Sequence, residues 1–237
     1  MRNRKVAALV GVLYIIGTVS GILGIAFTQD IFEAQDYLSK VYQNDTPVII
    51  GSFFIFIMGL SLAMIPVMMY PILKKHNERL ALGYVVFRSG LEAICHISIV
   101  ISWLFLLPLS KVYMSALAEN QSDLNALGSL LVKGEEISSI LAIVFCFGCF
   151  MFYYVLYKSR IVPRWVSGWG LIAVLPYLAS GILVMFDVIS PLSTLGVVSN
   201  LPLALQEMVL AVWLIAKGFN QNMSDVFKPS EPQVIVA

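Results

Sequence analysis

The sequence predicts an all-α, polytopic membrane bundle of six transmembrane helices with both termini in the cytoplasm. Three observations carry that prediction. Of the 237 residues, 59% are hydrophobic and only 12% charged, against roughly 25% charged in soluble domains, and the mean hydropathy is +0.87. The apolar residues fall into six runs, each close to the length that crosses a hydrocarbon core about 30 Å thick. Charge completes the pattern. Taken alternately, one set of flanks holds Arg2, Arg4, Lys5, Lys74, Lys75, Arg79, Lys158, Arg160, Arg164, Lys217 and Lys228, and the other only Lys40, Lys111 and Lys133. Such an excess marks the cytoplasmic side. A net charge of +1 gives no basis for nucleic-acid binding.

The first span, residues 6–27, follows a short basic flank. It is longer than the roughly 7–15-residue apolar segment of a signal peptide and lacks the small-x-small site that should follow, so it is expected to stay attached. Within residues 29–46, Ile31, Gln35, Leu38, Val41 and Tyr42 form a helical stripe, and Asp30 with Glu33 resembles a capping box. That pattern fits a short helix on the bilayer surface, or equally an ordinary structured loop. The second span is 47–73. A basic turn leads into the third, 80–107, which Pro108 is expected to close. The longest connection, 109–136, contains enough leucine to predict some helix. Spans four to six are 137–157, 166–186 and 197–216. Residues 1–219 thus make one six-span domain, and 220–237 are expected to be a disordered cytoplasmic tail.

Gly17-x-x-x-Gly21 and Ser20-x-x-x-Gly24 in the first span, and Ser180-Gly181 in the fifth, are the small residues that let membrane helices approach closely. Cys146 and Cys149 are spaced C-x-x-C in the middle of an apolar run, as Cys95 is in another, and are read as packing groups. At one boundary Arg164, Trp165 and Trp169 are expected to anchor the chain in the headgroup layer; lipid-headgroup recognition by Arg164 is the alternative.

Ionisable residues inside the spans are the candidates for function. Arg88, Glu92 and His96 stand at i, i+4 and i+8. Each step advances about 40° around an α-helix, so all three share a narrow face, roughly 12, 18 and 24 Å in from residue 80. Ser89 lies beside them. The sixth span carries Glu207 near its middle and Asn200 two turns earlier. Two acids and a guanidinium at similar depth are predicted to meet across a shared polar cavity. Their sum is one surplus negative charge, to be offset by a proton, by a charged His96 or by a bound cation. Arg88, Glu92, His96, Glu207, Asn200 and Ser89 are therefore the predicted ligand- or proton-binding residues. Two other readings compete. The charges form a network that only fixes helix register, or Glu92, His96 and Glu207 act as acid, base or ligands of an intramembrane enzyme. With two histidines in all there is no three-histidine zinc site, and neither a G-x-S-x-G elbow nor a P-loop is present. No metal or cofactor is called for.

Three blocks then take on a shared meaning. They are Ala81-Leu82-Gly83-Tyr84-x-x-Phe87-Arg88-x-x-Leu91-Glu92-Ala93, the stretch Ile161-Val162-Pro163-Arg164-Trp165-Val166-Ser167-Gly168-Trp169-Gly170, and Pro202-Leu203-Ala204-Leu205-Gln206-Glu207-Met208 continuing to Trp213-Leu214-Ile215-x-Lys217-Gly218-Phe219. Together they resemble the bacterial membrane proteins of the domain of unknown function 4386 family. The resemblance implies a six-span protein of the bacterial inner membrane and implies no activity. The expectation from the residues is a non-enzymatic protein among membrane lipids. It would bind or translocate a small solute or lipid through its intramembrane cavity, with a link to protonation.

Overall fold

A computed structural model describes residues 2–133, 135–191 and 193–220, and within them the regular structure is helical throughout. Six helices are long and apolar enough to cross a membrane. The first span is α1 (Arg2–Phe32), and α2 (Tyr37–Gln43) is a short connector to the second, α3 (Asp45–Leu73). The third is compound: α4 (Glu78–Tyr84), a π-helical segment (Val85–Leu91) and α5 (Glu92–Ser115) run on without a break. Then α6 (Ala118–Lys133) leads to the last three spans, α7 (Glu135–Ser159), α8 (Arg164–Met185) and α9 (Thr194–Ala216). The outside is studded with exposed apolar side chains such as Ile22, Phe53, Ile94, Phe105 and Ile172, as acyl chains require.

Each span packs against its neighbours in sequence, and the sixth returns to the first, so the six close into a ring. Glycines set the tightest contact. Cβ atoms at Gly17, Gly21 and Gly24 would come within 2.9, 2.6 and 2.7 Å of Leu62, Met58 and Ile55. The i, i+4, i+7 row on α1 thus runs against a matching row on the antiparallel α3. In the fifth span Gly181 meets Ala142 of α7 in the same way.

The start of α1 and the end of α9 lie together at one end of the ring. Arg4 donates to the Ala216 and Ile215 carbonyls at 2.8 and 3.3 Å, which places a cation on the exposed C-terminal carbonyls of α9. Gly218, at φ +73°, turns the chain away. Asn220, expected as the first residue of a loose tail, is tied down by bonds to the Ile161 and Arg160 carbonyls. Residues 221–237 lie outside the described part. The main apolar core, with Tyr14, Met69, Leu73, Tyr84, Phe152 and Leu214 among its members, draws on all six spans and fills the half of the ring nearest the termini.

Three local expectations are corrected. Pro108 does not end the third span: α5 continues to Ser115. Proline removes one donor, the one the Leu104 carbonyl would otherwise accept from, and a membrane helix tolerates that loss. Asp30 and Glu33 form no capping box, because α1 runs through to Phe32; Glu33 instead accepts from Gln29 Nε2. The short helix α2 exists, but it turns Leu38 and Val41 inward against Val48 and Leu106 rather than onto a bilayer surface.

Candidate functional site

Tyr84, Arg88, Glu92 and His96 are all buried, at strict intervals of four. In an α-helix three such steps would drift about 120° and carry the last residue off the face. The π segment prevents this. Its wider turn, seen in the i→i+5 bond from the Glu92 N–H to the Phe87 carbonyl, makes a four-residue step fall short of a full turn and offsets the α overshoot. Such insertions recur at functional sites. The outward side of the segment holds Gly90, where a Cβ would touch nothing.

The charges meet as expected. Arg88 Nη1 reaches the two carboxylate oxygens of Glu92 at 3.0 and 2.9 Å, and Nη2 reaches Glu207 Oε1 on α9 at 3.4 Å. The guanidinium lies 4.3 Å over the ring of Phe145 on α7. Glu207 is the most open of the three, with 13% of its side chain accessible against 1% and 2% for Arg88 and Glu92. Arg88 Nε has no hydrogen-bond partner among the described residues, and a buried donor left so calls for a water or a ligand.

The remaining predicted residues are placed around this triad. His96 stands on the same face, but its Nδ1 is 3.0 Å from the Glu92 carbonyl; a carbonyl only accepts, so Nδ1 carries the hydrogen of that bond. Ser89 donates to the Ala63 carbonyl at 2.6 Å, next to the Leu62 carbonyl whose helical donor Pro66 lacks. It pins the third span to the second. Asn200 lies roughly 10 Å along α9 from Glu207, on the wall of a cavity with Tyr177 and Ala204. Among the described residues no three His, Cys, Asp or Glu side chains gather into a metal site. The cysteines are free and buried. Arg164 stacks over Tyr157 at 5.1 Å, and Trp165 is exposed beside Trp213, at the end of the ring that holds the termini.

Sequence reasoning missed Phe145, Gly148 and Gln206. A Cβ at Gly148 would sit 2.7 Å from Arg88 Cγ, so the glycine is the slot through which the arginine enters. Its position one turn after Phe145 was the available signal. Gln206, beside Glu207, accepts from Tyr153 at 2.6 Å and donates to the Val166 carbonyl at 3.1 Å, which locks spans four, five and six around the triad. Gly148→Ala is expected to displace the Arg88 stem and lower stability by about 1–3 kcal/mol through overpacking; thermal unfolding in micelles checks this.

Comparison with known proteins adds one match. A family model described as Domain of unknown function (DUF4386) matches residues 9–218. No curated protein and no solved structure matches the chain.

Proposed function

The chain belongs to the family of that description, and we propose that it binds a small solute at the Arg88–Glu92–Glu207 centre inside the ring, with transfer across the membrane as the activity this serves. One observation carries the reading. A centre with one surplus negative charge is enclosed by six spans, and Glu207, the carboxylate most weakly held by Arg88, is also the most accessible. A proton or a cation neutralises such a site, so exchange of the two would link solute to protonation. The basic end of the ring is the cytoplasmic one in this reading, and the bacterial inner membrane is the setting that the family resemblance implies.

Native mass spectrometry of the protein ejected from lipid nanodiscs tests it. The expected result is a non-covalent small-molecule adduct on the natural protein that is absent from a folded Glu207→Gln variant. Equal adducts on both proteins, or none on either, would contradict the reading. A centre that serves only helix register gives the latter.

A further inference from the structure

Away from the termini the helices leave open space between them. Two cavities of about 460 and 340 Å³ lie there, each of a size that takes small molecules. They share Ser138 and Pro191 in their walls and so adjoin. The larger is walled by α1, α5, α6 and α7, the smaller by α7, α8 and α9.

Their lining has a definite chemistry. Among the described residues Glu33 is the one charged side chain in either wall. Phe32 and Trp103 in the first, and Tyr177 in the second, supply aromatic rings, while Ile25, Ile99 and Leu141 make the surroundings apolar. The smaller cavity lies near the charged centre, whose own residues are not in its wall. Tyr177 packs edge-on against Phe145 at 5.5 Å, and Phe145 in turn carries the Arg88 guanidinium. On α9, Ala204 in the cavity wall is one turn before the partly accessible Glu207.

We infer that the two adjoining cavities bind an amphipathic organic cation, its nitrogen directed to Glu207 and its apolar body held between Trp103 and Tyr177. This rests on the reading of the triad as a ligand centre and names the class of ligand. An anion meets the repulsion of Glu33 and of the surplus negative charge. A neutral molecule makes no use of that charge and leaves a proton to offset it. A bare inorganic ion leaves several hundred Å³ of apolar space without an occupant. A cation with a hydrophobic body satisfies both charge and space, and gains further from the electron-rich ring faces.

The test uses a pair of ions of one shape and opposite charge, tetraphenylphosphonium and tetraphenylborate, in equilibrium binding to the full chain in nanodiscs. Tetraphenylphosphonium is expected to bind saturably and tetraphenylborate not to. Ser138→Trp, which fills the junction of the cavities, and Glu207→Gln are each expected to weaken binding by roughly ten-fold or more, with Ser102→Phe as a second filling variant should Ser138→Trp not fold. Equal uptake of the two ions, no saturable binding, or binding indifferent to filling or to Glu207→Gln overturns the inference. A Glu207-dependent adduct that proves neutral or anionic also overturns it and leaves the proposed function standing; absence of any Glu207 dependence removes both.

Discussion

Glu92→Leu is expected to lower the unfolding free energy by about 3–5 kcal/mol, because it leaves a buried guanidinium without its close partner. Arg88 is 1% exposed and would retain, as its carboxylate partner, only Glu207 at 3.4 Å. Arg88→Met is expected to be comparably damaging, since it leaves Glu92 and Glu207 facing one another with nothing between. The combination Arg88→Met, Glu92→Leu and Glu207→Leu should recover most of that loss, because a buried ionic cluster exchanged for apolar side chains of similar size is often neutral or even stabilising, by about 1–4 kcal/mol. Denaturant titration in mixed micelles reads all of these. The triple variant also separates the two meanings of the triad. Folded but unable to hold a solute, it supports a binding centre; folded with solute retention unchanged, it reduces the charges to register pins.

Deletion of single residues in the third span should show a contrast as large. Removing Gly90 is expected to be tolerated by the fold: it takes one residue from the π segment, converts that turn toward α geometry and removes no packed side chain. Tyr84 and Glu92 would then be seven residues apart and still close to one face. Arg88, between them, would stand about 60° off Glu92, three residues in α geometry, so solute retention should fall while the protein remains a folded bundle. Deleting Val100 has no such absorber. Everything from Ile101 to Ser115 would rotate by about 100°, turning the buried Leu106 and Ser110 outward and exposing what they cover. That variant is expected not to fold. Size-exclusion profiles in detergent and proteolysis distinguish the two; equal tolerance of both deletions would contradict the π register.

Much of this architecture was legible because bilayer physics leaves few choices. Apolar runs of the right length separated by basic turns specify spans directly, and Gly17, Gly21 and Gly24 announced a close helix approach, though not that its partner is α3. The meeting of Arg88, Glu92 and Glu207 was legible too, since charges at one depth in hydrocarbon have nowhere else to go. The π segment was hidden in plain view: four-residue spacing from Tyr84 to His96 does not fit 3.6 residues per turn, and only a wider turn keeps it on one face. Pro108 misled because a rule from soluble helices was applied where lipid forbids the chain to leave its helix. Asn200 was assigned to the triad by helix face alone; depth along α9 separates it. The aromatic rings around the guanidinium, Phe145 above all, could not be found by motif, because their role comes from spans distant in sequence.

A double-mutant cycle on Arg88 and Glu207 tests most directly whether the third and sixth spans bring their charges together inside the ring. Stability measured for Arg88→Met, Glu207→Leu and the pair should give a coupling of about 0.5–3 kcal/mol, as residues in one buried ionic network do. Effects that simply add, with no coupling, would mean that the two side chains do not meet, and would contradict the centre on which the account rests.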